Sequence, residues 1–227
     1  MHLVKSLADR RGDSINRRTG LYLVAMRAVI LISGNGSNLQ SLIDHGNKID
    51  LQICSVISNK KDAFGLKRAE RANIPTHFID PNRFKSRQDF DKQLITIIDE
   101  IDISLIILAG YMRILSSDFI HHFAGKILNI HPSLLPKFPG LNTHRKAIDA
   151  KEKYHGATVH FATEELDGGP IISQEIVEIQ PTDTAYSLAQ KVLEKEHILY
   201  PRVIHWYTQN RLKLINNDRV ELDGKTL

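Results

Sequence analysis

The chain reads as an α/β protein on a Rossmann-like open twisted sheet, mostly parallel with antiparallel C-terminal strands, and with helices on both faces. Three observations carry that expectation. The apolar runs at 28–33 (AVILIS), 51–58 (LQICSVIS) and 104–109 (SLIILA) are continuous, as strands buried on both faces should be. Helical patterns separate them, and this alternation predicts parallel neighbours joined by right-handed crossovers. Beyond residue 130 the runs 156–162 and 171–179 alternate in polarity and are joined by a short Gly-rich link, which predicts antiparallel strands extending the sheet.

Taken in order, the first strand runs into the turn Ser33-Gly34-Asn35-Gly36-Ser37-Asn38 and then a helix at 38–44. The second strand is followed by a helix at 62–72. A third helix, 86–100, opens Ser86-Arg87-Gln88-Asp89, a capping box with Asp in place of Glu. It sets Phe90, Leu94, Ile97, Ile98 and Ile101 on one face. A further strand, ILNI, lies at 127–130. A long helix is predicted over 182–207, capped by Thr182 or Asp183, with Leu188, Val192, Leu193 and Ile204 inward. Pro201 should kink or divide it, because proline removes a helical N–H and its ring meets the preceding turn. Glycine and charge content marks the segments 140–145 and 163–168 as candidates for disorder.

At 227 residues the chain can bury one sizeable core, and 42% hydrophobic with 25% charged residues is ordinary globular composition. We expect one α/β domain over 26–227 and a poorly ordered extension over 1–25. No apolar run approaches the ~18 residues that span a bilayer. A single cysteine, Cys54, rules out an internal disulfide framework and suits a reducing, cytoplasmic setting. Its apolar surroundings make it a small hydrophobe rather than a nucleophile. The net charge is +4, but residues 1–25 hold five Arg/Lys against two Asp (+3), leaving only +1 for the rest. A body without a basic stripe is not built for a nucleic-acid backbone.

Two loop motifs carry chemistry. The glycine turn lies between a strand and a helix, where backbone N–H groups and the helix dipole receive anions. It lacks the third glycine of a dinucleotide fingerprint, since position 39 is Leu, and Ser58-Asn59 stands where an acidic residue would close the second strand. A phosphate monoester fits better than NAD, although the turn alone reads equally as a tight junction with no ligand. The second motif is Asn129-Ile130-His131-Pro132, answered by Leu166-Asp167-Gly168-Gly169-Pro170. Asn129 and His131 lie two apart at a strand end, so their side chains share a face. His131 suits proton transfer at neutral pH, Asp167 would favour its charged form, and the Asn129 amide would meet a developing oxyanion. A lone N-x-H is more simply a structural histidine; its company with Asp167 and the glycine turn is what raises the catalytic reading. Amine attack on an activated acyl donor needs no nucleophilic residue, and no metal motif is present: there is no H-E-x-x-H and no cysteine pair.

At this point the chain resembles the phosphoribosylglycinamide formyltransferases, folate-dependent enzymes of purine biosynthesis. The matching stretches are LISGNGSNLQ (31–40), ISNKKDAFGLKRA (57–69), LAGYMRIL (108–115), NIHPSLLPKFPG (129–140), HGATVHF (155–161), TEELDGGPII (163–172) and KEHILYP (195–201). The resemblance implies transfer of the formyl group of 10-formyltetrahydrofolate to the glycinamide amine of phosphoribosylglycinamide (GAR), without a metal. By position it implies catalysis by Asn129, His131 and Asp167, and GAR binding by Gly36, Ser37, Asn38 and Glu196. It further implies folate binding by Arg87, Met112, Arg113, Ile114, Leu115 and Asn129, and a cytoplasmic monomer or homodimer free of nucleic acid and membrane. Formyltetrahydrofolate hydrolase shares the core but adds an N-terminal domain, for which 25 residues leave no room. Methionyl-tRNA formyltransferase adds a C-terminal domain and basic surface. A catalytically silent nucleotide sensor would not need all three of Asn129, His131 and Asp167.

Overall fold

In the computed structural model, the described residues are 25–227 together with the backbone of Ser14–Ile15 and Tyr22–Leu23, two short strands that pair antiparallel. The expectation for residues 1–25 falls for the most part outside the described residues. From Met26 the elements are β1 (Met26–Ile32), α1 (Ser37–His45), β2 (Leu51–Ser58), α2 (Phe64–Arg71), β3 (Thr76–Phe78), α3 (Arg87–Ile101), β4 (Leu105–Leu108) and α4 (Ser117–His122). There follow β5 (Ile127–His131), α5 (Thr143–Asp149), β6 (Tyr154–Phe161), β7 (Ile171–Glu178), α6 (Ala185–Thr208), and a small meander of β8 (Leu212–Ile215), β9 (Arg219–Leu222) and β10 (Lys225–Thr226).

The main sheet has the order β3-β2-β1-β4-β5-β6-β7. Pairing is parallel from β3 through β5, and antiparallel where β5 meets β6 and β6 meets β7. The fold class read from the sequence is the one found. Its core divides by strand parity. Ala28, Ile30 and Ile32 of β1 pack with Leu39, Leu42, Leu66, Leu188 and Val192 from α1, α2 and α6. Val29 and Leu31 pack with Phe90, Leu94, Ile98 and Phe119 from α3 and α4. Because the chain leaves β1 toward β2 on one side and β4 lies on the other, the loops after β1 and β4 diverge at the C-terminal edge. Open α/β sheets hold their ligands at that divergence.

Two expectations for the last helix are corrected. Its cap is Thr184, whose hydroxyl accepts the Ser187 N–H at 3.1 Å while the Ser187 hydroxyl accepts the Thr184 N–H at 3.0 Å. Pro201 does not divide it, and α6 runs from 185 to 208. Proline at 201 leaves the carbonyl of residue 197 without its helical donor. The hydroxyl of Ser41, on α1, donates to that carbonyl at 3.0 Å, so the neighbouring helix supplies what the proline removed. The segment marked as a candidate for disorder at 140–145 instead opens α5 at Thr143. Ser86 caps α3 as predicted, accepting from the Asp89 N–H.

Candidate active site

Asn129 and His131 emerge on one face at the end of β5, and the antiparallel partner β6 sets His160 opposite Asn129 and Thr158 opposite His131. The loop after His131 is tied down from below. Buried Thr158 donates to Ser133 O and accepts from Leu135 N, and Gln174 of β7 reaches both Thr158 Oγ1 and Leu135 O. Asp167 arrives from the turn between β6 and β7. Gly169 allows that turn to lie against the sheet, because a Cβ there would sit 1.9 Å from Phe161 O.

The three side chains predicted to do chemistry converge. Asp167 Oδ2 lies 3.3 Å from His131 Nδ1 and accepts the Gly140 N–H at 2.8 Å. Its Oδ1 lies 3.5 Å from Asn129 Nδ2. His131 Nε2 faces Phe138 O at 2.9 Å, so each ring nitrogen meets an acceptor and the ring can donate from both. His160 completes the cluster. Its Nδ1–H donates to Phe161 O at 2.9 Å, which leaves Nε2 to accept from Asn129 Nδ2 at 3.0 Å. Burial pushes the His160 pKa down, partly offset by the Phe161 carbonyl and by Asp167, so the ring is held neutral in the tautomer this contact needs. The Asn129 amide is thereby oriented with its N–H₂ group inward.

The glycine turn forms a second locus. Gly36 is left-handed (φ 73°) and precedes the first turn of α1, which has no side-chain cap. The N–H donors of that turn are therefore not taken up by a capping side chain, as an anion site requires. A Cβ on Gly36 would lie 2.6 Å from Gly65 Cα, so the turn is glycine both for its φ and for its contact with α2. Arg68 of α2 clamps the turn: its guanidinium donates to Asn35 O and Asn35 Oδ1, both at 2.9 Å, and to Gln40 Oε1 at 3.2 Å. Asn38 Nδ2 donates to Glu196 Oε2 at 2.6 Å, joining two predicted GAR-binding residues from α1 and α6. Burial raises the Glu196 carboxyl to about 7 despite that hydrogen bond.

The loop after β4 is the third locus. The Ser33 hydroxyl accepts the Met112 N–H at 2.8 Å, and the carboxylate of Asp91, buried in α3, accepts the Ser116 N–H at 2.6 Å. Held at both ends, the loop presents Met112 and Ile114 to solvent, 63% and 51% exposed, while Leu115 is buried. The Arg113 guanidinium stacks on the Phe90 ring, 4.3 Å from its centroid. Arg87 stands exposed at the start of α3, with no hydrogen bond or ion pair from its side chain among the described residues. An apolar shelf with backbone edges and a nearby free cation fits a flat heteroaromatic ring carrying a carboxylate tail.

A family model described as formyl transferase matches residues 26–204. The chain belongs to that family. It is 50% identical to the phosphoribosylglycinamide formyltransferase of Escherichia coli (strain K12) over 204 residues, covering 89% of this chain and 96% of that protein. The Haemophilus influenzae phosphoribosylglycinamide formyltransferase is 47% identical, with 88% and 95% covered. Among solved structures, the phosphoribosylglycinamide formyltransferase of Coxiella burnetii superposes with a TM-score of 0.86 at 50% identity, covering 89% of this chain and 95% of that one.

Within this formyl transferase, several residues at the site escaped the sequence reading. His160 is set by strand register, which only the antiparallel pairing reveals, although its place two residues before the predicted strand's end was a usable signal. Asp91 was passed over as one more charge on an amphipathic helix. Arg68 lies inside the matching stretch 57–69 but reads there as one more charge on a helix. His155, buried, accepts or donates at 3.2 Å to His144 Nδ1 beneath the His131 loop, and burial, more than the neighbouring His144, pushes it down to about 4. Cys54 is half-buried at the less covered end of β2, and burial raises its thiol.

Proposed function

We propose that this formyl transferase moves the formyl group of 10-formyltetrahydrofolate to the amine of GAR, giving formyl-GAR and tetrahydrofolate in purine biosynthesis, and that residues 26–227 form the domain responsible. The observation that carries the reading is the convergence of Asn129, His131 and Asp167 at the sheet edge between an uncapped glycine turn and an apolar loop. The sequence identity to two bacterial enzymes of that name supports it.

In this mechanism the first turn of α1, with Gly36, Ser37 and Asn38, holds the phosphate, and Glu196 accepts from the sugar or glycinamide. The backbone of Met112–Leu115 edges the pterin, and Arg87 pairs with the folate carboxylate. The GAR amine attacks the formyl carbon, forming a C–N bond and placing charge on the formyl oxygen. Asn129 Nδ2, held by His160 through one N–H, gives the other to that oxygen in exchange for its 3.5 Å contact with Asp167. His131 gives a proton to the departing folate nitrogen, exchanging its bond to Phe138 O for one to the reacting group. The bond from the formyl carbon to that nitrogen breaks as the tetrahedral centre collapses, and the attacking nitrogen passes its surplus proton to His131, now neutral, so the count of protons is restored. Asp167 holds His131 in place and stabilises its charged form. Positioning two substrates and stabilising one oxyanion suffice, with no covalent enzyme intermediate.

The small charge on residues 26–227 supports small-molecule substrates without nucleic acid, and no helix among the described residues is long and apolar enough to cross a membrane. We place the protein in the cytoplasm as a monomer or homodimer, on the single half-buried cysteine and the family resemblance. The deciding experiment incubates protein with GAR and 10-formyltetrahydrofolate, follows formyl-GAR by mass spectrometry, and runs a parallel tube without GAR. Formyl-GAR with little folate loss in the second tube is expected. Folate loss independent of GAR would make the protein a hydrolase instead.

A further inference from the structure

The loop 109–116 crosses from β4 to α4 and is neither helix nor strand. Its first half hangs on backbone. The Ala109 N–H donates to Leu31 O at 2.9 Å, and the Ser33 N–H donates to Gly110 O at 3.1 Å. At its far end the partner is a side chain. Asp91 of α3 accepts the Ser116 N–H at 2.6 Å, and the two residues are only 1% and 2% exposed. Leu94, Leu115, Phe119 and Phe123 belong to the apolar cluster in which this contact sits.

A carboxylate in such surroundings is costly, and burial pushes the Asp91 carboxyl up. The Ser116 N–H and hydroxyl, with the charges of Arg113 and Arg87, pull it back down. Capturing one N–H does not require a charge. An asparagine of the same shape would accept from Ser116 at a smaller desolvation cost. What the carboxylate adds is its negative charge, and both cations it acts on belong to the set assigned to folate.

Arg113 indicates what that charge does. Its guanidinium lies over the ring of Phe90, the residue before Asp91 on α3, 4.3 Å from the centroid. Its Nε is buried and has no hydrogen-bond partner among the described residues. Stacking alone leaves a long side chain free to slide over the ring, whereas a buried anion on the same helix fixes where the cation rests. The other neighbours of Asp91 compete little for it. The Tyr111 hydroxyl is pushed up by burial and then by Asp91 itself, so it stays a neutral phenol. From α4, Phe119 and Phe123 pack here, while His122 pairs with Asp99, about two turns further along α3. The charge of Asp91 is directed at the loop.

We propose that Asp91 is a positioning residue of the folate site. Through the Ser116 N–H it closes the loop that edges the pterin, and through its charge it holds Arg113 flat on Phe90. The inference rests on the folate reading above. Asp91 touches no substrate; it sets the fraction of molecules whose loop is ready to receive one, and folate affinity scales with that fraction.

The test measures kcat and both KM values in the parent, D91N and D91A, with the dissociation constant of tetrahydrofolate by calorimetry. D91N keeps an acceptor for Ser116 and the side-chain volume but removes the charge, and its folate KM should rise about fivefold. D91A also orphans the Ser116 N–H, and the rise should reach about thirtyfold. Tetrahydrofolate binding should weaken in parallel, while kcat at saturation and the GAR KM stay within about twofold. In an Arg113→Gln background, D91N should add less than about twofold, because the charge has lost its main object. Should D91A fail to fold, the isosteric D91N still decides. A lowered Tm with parental folate KM in D91N would make Asp91 a stability residue only and overturn the proposal. So would a loss shared equally by the GAR KM, or a full fivefold effect in the Arg113→Gln background. Formyl transfer by the parent keeps the folate reading standing in each of those cases, and its absence would remove that reading and this one together.

Discussion

The His131 locus and the glycine turn lie at the same sheet edge yet treat their polar groups in opposite ways. Around His131 the protein satisfies itself: both ring nitrogens, the Asn129 amide and both Asp167 oxygens meet internal partners. At the turn the first helical N–H groups lack a capping side chain, and Arg68 is spent on holding the turn's shape. The difference fits the roles proposed above for each place. Catalysis needs groups whose geometry is fixed before substrate arrives, whereas tight binding of a phosphate needs donors that nothing else has claimed.

That division makes kinetic parameters separable. His131→Ala should lower kcat by about 10³-fold, within the usual range for losing a general acid/base, while the GAR dissociation constant measured by calorimetry stays within about twofold. Near-parental turnover in this variant would falsify the mechanism. The mirror experiment is Gly36→Ala. A Cβ there needs a left-handed φ and 2.6 Å from Gly65 Cα, so α1 must move off α2. The GAR KM should rise by tenfold or more, kcat at saturating GAR should change little, and stability should fall by about 2 kcal/mol in urea titration. A kcat loss as large as the KM effect would mean the two loci are not independent.

The sheet and its helices were legible because buried parallel strands announce themselves as unbroken apolar runs. What was missed follows from length and register. β3 has three residues and persists only because it pairs with Val56–Ser58, which no local pattern encodes. The β8–β10 meander is short and polar on its outer side, with Leu212 and Val220 as its only buried residues. Asn129, His131 and Asp167 were legible because prolines and glycines crowd around them. His160 was not, because its role depends on standing across from Asn129 in an antiparallel ladder. Ser41 rescuing the Pro201 helix is of the same kind, a contact between residues 156 apart.

Glu196 sharpens the comparison through pH. Its folded carboxyl titrates at about 7, above the ordinary 4.5, because burial disfavours the anion. The sign follows directly. Below pH 4.5 the group is protonated in both states and costs nothing. As pH rises toward 7 the unfolded chain ionises first, so stability is lost across that window, by about 3 kcal/mol at most. Glu196→Gln keeps an acceptor for Asn38 and removes the titration. Scanning calorimetry should find the variant's Tm raised by roughly 6–10 °C at pH 8 and unchanged at pH 4. The GAR KM at pH 8 should rise about tenfold, since a neutral amide accepts hydrogen bonds more weakly than a carboxylate. A destabilised variant at pH 8 would show that the buried carboxylate is compensated by something other than Asn38.

The smallest effect tests whether the turn's shape or its charge matters. Arg68→Ala removes three hydrogen bonds and one positive charge beside the phosphate site, and should raise the GAR KM about fivefold with the folate KM unchanged. Arg68→Lys restores the charge but cannot span Asn35 O and Asn35 Oδ1 together, because an ammonium lacks the planar fork of a guanidinium. If the clamp on Asn35 is what counts, the lysine variant will behave as the alanine one does. If long-range attraction of the phosphate is what counts, lysine will recover most of the loss, and the recovery will fade as salt is raised. The geometry favours the clamp: the guanidinium is turned onto the turn's own carbonyl and side chain, and through Gln40 onto α1. On the proposed phosphate site, the turn would then bind through donors kept in place by a residue that spends its own on the protein.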